Sequence, residues 1–449
     1  MSKTKVIVIG GDAAGMSAAS KIRRSHEDWE IVVYEKSPHT SYSACGMPYY
    51  IAGKVSSEED LVARSPETFR DKYNIKAHTF HEVIQVDPPQ QKVLVKNLQT
   101  EESFWDSYDK LLIATGASPK KPALPAVDSD GVFCLSTLQS GINTFEYIKK
   151  HKPKKAVIVG GGYLGVEMAE ALLEKGLNVT LIDRNHYIMK TLDQDMSEDI
   201  CGLMKKKGIT LLLSENLTAF EANESGKVTC ILTDKRKIEA ELVILGMGVT
   251  PNSELAKLAG IKLCDTAAIQ VNDRMETSAP NVWAAGDCAS SYHILKKKHQ
   301  FIALGTIANK HGLIAGSNMS EETLSFPGVI GTAITKFLEL EISRTGLSET
   351  EAKALEIDYE TATIKSSNFA GYYPESGEIK VKLLVEKGSR RIIGGQIIGQ
   401  KGSGKRIDCI AACIMGKQTA FDLAMMDLAY VPPLSTVWDP IQIAARRLM

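Results

Sequence analysis

Short apolar runs set the rhythm of the first half of the chain, each running into a glycine-rich turn and then into small and apolar residues at helical spacing. Val6 to Ile9 reads as a strand, with a glycine turn after it and a helix of small residues from Gly15 to Arg24. A second strand, Glu30 to Tyr34, ends at the acidic Glu35. This is one βαβ unit of about thirty residues. The pattern then returns: strand Ala156 to Val159, turn Gly160 to Gly165, helix Val166 to Lys175, and strand Val179 to Ile182 ending at Asp183. The recurrence is an internal repeat of a nucleotide-binding unit. The basic segment Lys150 to Lys155 leads into the second unit, and Leu242 to Leu245 followed by GMGVTPN leads out of it. Beyond Phe326 and Pro327 the pattern changes to extended runs (GVIGTAITKF, IKVKLLVEK, RIIGGQIIG) and then to helices, with no glycine fingerprint.

Composition narrows the class. At 449 residues, 44% hydrophobic and 24% charged, the chain reads as two to four ordinary globular domains. A net charge of −1 gives no basic field for nucleic acid or an anionic membrane. No apolar run approaches the ~18 residues of a spanning helix, and the first apolar run enters glycines and Asp12, as a strand does and a signal peptide does not. The expected location is the cytoplasm. None of the eight cysteines forms a CxxC pair. Cys409 and Cys413 lie four apart in the apolar run IDCIAACIM, where packing is the stronger reading than a metal or redox pair, so no metal is expected.

The glycine turns carry the first chemistry. In such a turn the first glycine allows the tight bend, the second admits a pyrophosphate, and the third lets helix and strand approach. The helix N-terminus then faces the phosphates, and an acidic residue at the end of the second strand takes the ribose hydroxyls. Gly160, Gly162, Gly165 and Asp183 fit throughout. Gly10, Gly15 and Glu35 fit too, but Asp12 stands where the second glycine belongs, a placement that requires its side chain to point away from the phosphates. Two further motifs accompany them: LLIATGASP with Thr115 and Gly116, and TSAPNVWAAGDCAS with Gly286 and Asp287.

The redox candidate lies in SPHTSYSACGMPYYIAG, which offers Cys45 and no second cysteine until Cys134; Tyr50 occupies the CxxxxC partner position. Pro48 favours a helix start just after the thiol. A thiol at a helix N-terminus is expected to have a lowered pKa and a raised thiolate fraction.

These motifs resemble those of the two-dinucleotide disulfide reductases. SYSACGMPYYIAG, the GGxAAGMSAAS start and LAYVPPLSTVWDP near the end resemble a single-cysteine branch over essentially the whole chain. That branch contains coenzyme A–disulfide reductases, NADH oxidases and NADH peroxidases; the likeness is strongest to the first. The resemblance implies an α/β fold of two Rossmann-like domains plus a C-terminal α+β dimerisation domain. FAD would be bound by residues 1–120 and 252–325, NAD(P)H by 121–251, and the dimer formed by 326–449. It implies FAD contacts from Gly10, Gly11, Ala13, Ala14, Gly15, Glu35, Lys36, Val83, Ala114, Thr115, Gly116, Gly286, Asp287, Gly305 and Thr306. Nicotinamide dinucleotide contacts would come from Gly160, Gly162, Tyr163, Leu164, Gly165, Glu167, Asp183, Arg184 and Gly248, with Tyr163 covering the flavin face until the nicotinamide arrives. Asp183 favours NADH, while Arg184 keeps NADPH open.

The resemblance places coenzyme A along Ser17, Lys21, Arg24 and Ser41, and the family's asparagine before the cysteine is Ala44 here. Catalytic roles fall to Cys45, to Tyr430 and to Tyr372 or Tyr373, with Tyr372 favoured, the tyrosines reaching the partner's site in a homodimer. The chain ends soon after WDP, so no rhodanese extension is expected. The implied activity is NAD(P)H-dependent reduction of coenzyme A disulfide, persulfide or polysulfide through Cys45. The alternatives are an NADH oxidase or peroxidase cycling through a Cys45 sulfenic acid, and a flavoprotein sensor with negligible turnover.

Overall fold

The structure is a computed structural model that describes residues 3–449. Its first five-stranded sheet runs in the order Val282–Ala284, Lys110–Ile113, Lys5–Ile9, Glu30–Tyr34, Lys76–His78. All its pairings are parallel, with Val8 opposite both Val33 and Leu112. A parallel sheet is covered on both faces, which is why its strands read as unbroken apolar runs. Helix Ala13–Ser25 packs against helix Gly305–Met319. A Cβ on Gly312 would lie 2.3 Å from the Ala14 carbonyl oxygen and one on Gly316 2.8 Å from that of Ala18, so the two helices run parallel and very close.

The second sheet has the order Thr210–Leu213, Asn178–Asp183, Lys155–Val159, Leu242–Leu245, Val132–Cys134, again all parallel. Each parallel sheet is accompanied by a three-stranded antiparallel one, 81–107 in the first unit and 217–239 in the second. The repeat is therefore larger than the βαβ core. Chain crosses between the units through a two-stranded ribbon, Ala117–Pro119 against Val249–Pro251.

Both fingerprint helices start earlier than the apolar pattern suggests, at Ala13 rather than Gly15 and at Tyr163 rather than Val166, and end at Ser25 and Glu174. The reason lies in the turns. Met16 N–H already donates to the Asp12 carbonyl and Val166 N–H to that of Gly162, so the last turn residues belong to the helix.

The third region is an antiparallel sheet, Ala333–Phe337, Leu340–Gly346, Ile392–Gly399, Glu378–Glu386, Tyr359–Ser367, covered by helices Ile407–Met415, Ala420–Ala424 and Pro440–Arg446. Phe337, Ile342 and Ile398 join the core of the second unit. Buried Lys382 bridges the regions, with its Nζ at 3.1 Å from Asp193, 2.8 Å from Asp195 and 2.5 Å from Glu349. Cys413 is buried in the core and the Cys409 sulfur lies 3.8 Å from that of Met426, an apolar packing environment. Among the described residues no helix is long and apolar enough to cross a membrane.

Candidate active site

The two glycine turns have the same anatomy. Gly10 (φ 106°) and Gly160 (φ 105°) take backbone open to glycine, and a Cβ on either would lie 2.2 or 2.4 Å from a carbonyl oxygen of the neighbouring strand's end, Ala114 or Gly246. At Gly15 and Gly165 a Cβ would lie 1.9 Å from the carbonyl oxygens of Gly10 and Gly160. A Cβ at Gly162 would meet nothing within 4 Å, the open approach a pyrophosphate needs. Glu35 accepts the Gly11 amide at 2.7 Å and Asp183 the Gly161 amide at 2.7 Å, so each strand-end carboxylate braces its own turn. Both cradles fit a dinucleotide.

Around the first turn the other motifs close in. A Cβ on Gly286 (φ 80°) would lie 2.8 Å from Ala14 Cβ, which puts the GD segment on the first helical turn. The parallel helix brings Gly305 and Thr306 to the same end, exposed, and Ser17 Oγ donates to Asn309 Oδ1 at 2.8 Å. Thr115 Oγ1 donates to the Asn252 carbonyl, while Asn252 Nδ2 returns a bond to the Thr115 carbonyl at 2.8 Å. The Gly248 carbonyl receives the Lys120 amide. Val83 is buried within the antiparallel sheet, and Lys36 stands exposed 3.9 Å from Glu82.

Cys45 lies in a short 3-10 turn, Ala44–Gly46, ahead of helix Met47–Ala52, which packs on the second unit's helix Tyr163–Glu174. Glu167 from that helix, Asp287 from the GD segment and Asp12 from the first turn are the charges whose field reaches the sulfur. The expected lowering of its pKa is not found. Burial, then these carboxylates, push the Cys45 thiol up, and the bond from its own backbone opposes them weakly. The sulfur is reachable by water yet sits in a cleft crowded with protein atoms, so its desolvation is partial.

Glu167 accepts from Thr335 Oγ1 at 2.8 Å, a contact from the third region, and burial raises its carboxyl. Tyr163 is raised by burial as well, and its hydroxyl receives a long bond of 3.4 Å from Thr191. Leu164 packs beside it in the second unit's core. Asp183 also holds the Asn185 amide at 2.8 Å, and Arg184 is exposed beside it.

A groove of about 280 Å³ runs along the first helix, lined by Ser17, Arg24, Ser41, Arg64, Phe69 and Asn309 among others. It gathers three of the four residues proposed for coenzyme A. Lys21 is the exception: its Nζ is paired with Glu322 at 2.6 Å and does not line the groove. Arg64 was not anticipated. It reaches the groove because Ala63 N–H donates to the Ser41 carbonyl and Thr40 Oγ1 to the Arg64 carbonyl, cross-chain links with no local sequence signal.

Tyr372 and Tyr430 are both exposed and their phenols interact, Tyr372 being the main group that raises Tyr430; Tyr373 is half-buried. Ala370 N–H donates to the Pro432 carbonyl, and Arg406 donates to the Asn368 and Leu434 carbonyls, which joins the two tyrosine loops. Neither tyrosine is among the groups acting on Cys45 in its own chain.

Two dinucleotide cradles, with a lone thiol between a loop bonded to the first and a helix packed on the second, and an antiparallel domain appended, define an oxidoreductase of the pyridine nucleotide and flavin class. Residues 4–312 match the pyridine nucleotide-disulphide oxidoreductase family and residues 332–440 its dimerisation domain. The chain belongs to this family, which uses FAD and NAD(P)H. It is 41% identical over 447 residues to the NAD(P)H coenzyme A polysulfide/persulfide reductase of Pyrococcus horikoshii, covering 99% of this chain and 98% of that one. It is 33% identical to the coenzyme A disulfide reductase of Staphylococcus epidermidis, over 98% of each chain. The solved NAD-dependent persulfide reductase from A. fulgidus superposes with a TM-score of 0.95 at 34% identity, over 99% of this chain and 82% of that one.

Proposed function

We propose that this chain is an FAD-dependent NAD(P)H oxidoreductase that reduces coenzyme A disulfide, or the corresponding persulfide or polysulfide, through Cys45. The observation that carries the reading is the placement of Cys45 between the nucleotide units: the helix after it packs on that of the second, and the loop before it is bonded to the turn of the first and, through Ser41, lines a groove that also holds Arg24 and Arg64. FAD, when bound, accepts hydride from the nicotinamide and delivers the electron pair to sulfur.

The rest is work for the protein. Gly10 and Gly15 hold the first pyrophosphate cradle open, and Gly160, Gly162 and Gly165 the second, with Asp183 selecting the free ribose hydroxyls of NADH. Tyr163 and Glu167 occupy the helix start where the nicotinamide must lie. Arg24 and Arg64 take the phosphates of coenzyme A as charge-assisted partners. The Cys45 thiolate attacks one sulfur of the disulfide, which releases one coenzyme A thiolate and forms a Cys45–coenzyme A mixed disulfide. Two electrons cleave that bond and return the Cys45 thiolate and the second thiol.

The protein's own field opposes a thiolate at Cys45. Hydroxyls of the partner subunit's Tyr430 and the partner subunit's Tyr372 would donate to it and to the leaving thiolate in a homodimer. This is supported by their exposure, their mutual contact and their place in the dimerisation domain.

The test is anaerobic turnover of holoenzyme with NADH and coenzyme A disulfide, expected to yield two thiols per NADH and to fall at least about a thousandfold in Cys45→Ser. Flavin reduction by NADH should survive that substitution. Equal turnover without the thiol, or NADH consumption that needs oxygen and ignores the disulfide, would overturn the reading.

A further inference from the structure

The two glycine turns are bound to their surroundings by the same bonds at all but one position. The Gly11 carbonyl takes the amide of Ser41 at 2.9 Å, and the Gly161 carbonyl that of Met189 at 2.7 Å. Ser41 (φ 48°) and Met189 (φ 52°) share left-handed backbone, which a side chain adopts only where its surroundings hold it there. The third turn residue breaks the symmetry. Gly162 has no side chain and nothing near it, whereas Asp12 Oδ1 accepts the Tyr42 amide at 3.0 Å. Two consecutive amides, those of Ser41 and Tyr42, four and three positions before Cys45, are thus fastened to two consecutive turn residues.

We propose that Asp12 is a positioning residue: its carboxylate clamps the loop that carries Cys45 to the turn that cradles the flavin's pyrophosphate. The clamp answers how a carboxylate can stand at a phosphate-facing position, since it is directed at the loop. It also makes the sulfur's placement depend on the cofactor turn itself. The far side of the same loop is held independently, by the Ser43 amide on the Leu61 carbonyl and the Ala63 amide on the Ser41 carbonyl, so loss of the clamp frees one edge and leaves the fold. Burial, with Glu35 and Asp287 acting in the same direction, carries the Asp12 carboxyl up to about 7, and the amides of Tyr42 and Ala13 act against it. Such a buried carboxylate is costly without partners, and the loop amide is the long-range one.

The inference rests on flavin occupying the first unit. It is tested with holoenzyme of Asp12→Gly, which makes the first turn like the second, and of Asp12→Asn, which keeps an acceptor oxygen. Bound flavin, flavin reduction by NADH, alkylation of Cys45 by iodoacetamide and reoxidation by coenzyme A disulfide are measured on each. Asp12→Gly should bind flavin fully and be reduced by NADH at the wild-type rate. Its Cys45 alkylation rate should change about fivefold or more and its reoxidation slow about tenfold, the scale of one lost hydrogen bond. Asp12→Asn should restore both. Unchanged alkylation and reoxidation in Asp12→Gly would overturn the clamp, as would an Asn variant impaired equally, or loss of flavin from Asp12→Gly, which would make Asp12 part of the cofactor site. Alkylation involves no electron acceptor, so a wild-type enzyme inert toward coenzyme A disulfide would sink the proposed activity and leave this test standing.

Discussion

The first nucleotide unit and the second share a parallel sheet, an antiparallel side sheet, a glycine turn and a carboxylate that ties it down. They differ in the loop on the C-terminal side of that carboxylate. After Asp183 the loop turns inward, and Ile188, Met189 and Leu192 bury themselves in the unit's own core. After Glu35 the loop stays at the surface, takes the Asp12 bond, and delivers Cys45 to the seam between the units. They are also braced differently: the first helix by its close parallel neighbour Gly305–Met319, the second by Thr335 and Lys336 of the third region through Glu167 and Glu170. The repeat therefore supplies two equivalent cradles, and the proposed redox thiol is lodged in one connection of one copy.

The comparison is broken most severely at the shared contact. Gly15→Ala and Gly165→Ala each force a Cβ against a carbonyl oxygen 1.9 Å away, an overpacking that costs about 1–3 kcal/mol. The consequences should separate. Gly15→Ala should come off purification largely colourless, and Gly165→Ala should keep flavin absorbance but lose rapid reduction by NADH, read by stopped flow. Equal loss of flavin in both would mean that the units are not independent cradles. Next in size is Gly162→Asp, which copies Asp12 into the second turn. Nothing stands within 4 Å of its Cβ, so the carboxylate should face the pyrophosphate and raise KM for NADH about tenfold, with flavin content unchanged. An unaltered KM would show that an acidic side chain is harmless at this position in either copy.

How far the chain could be read ahead of its structure obeys the same division. Gly10, Gly15, Gly160 and Gly165 were legible because their chemistry is local: a turn needs a missing Cβ within a few residues. Cys45 stood out for a related reason, as the lone thiol in its motif. The sign of its pKa shift was not legible, because it is set first by burial in a tertiary cleft and then by Glu167 and Asp287, which lie 122 and 242 positions away along the chain. Arg64 and the pairing of Lys21 with Glu322 were missed on the same ground, since a cation's partner is set by tertiary packing and not by spacing. Asp12 was visible as an oddity, but its use depends on where Tyr42 N–H points.

The two cations should therefore differ in their effect on substrate affinity. Arg64→Ala should raise KM for coenzyme A disulfide about tenfold by removing a charge-assisted phosphate contact. Lys21→Ala should change it by no more than about twofold, because Lys21 is turned to Glu322. Reversed magnitudes would return Lys21 to the phosphate site and remove Arg64.

Asp12 also adds to the first unit a small pH dependence of stability that Gly162 cannot add to the second. The folded chain holds the Asp12 carboxyl at about 7, against 3.8 for the ordinary group. Between those values the folded state binds more protons at this site than the unfolded one, so the site's contribution to stability falls as pH rises through that window. Asn at this position does not titrate, so Asp12→Asn should gain relative to the wild type from pH 5 to pH 8, by about one to three degrees in melting temperature. Asp287, raised to about 6 by burial, is present in both proteins. A bound pyrophosphate adds negative charge and can only strengthen the trend. Melting curves of the two holoenzymes that stay parallel over this range would mean that Asp12 keeps its charge in the fold, and that the clamp on Tyr42 is stronger than the burial that opposes it.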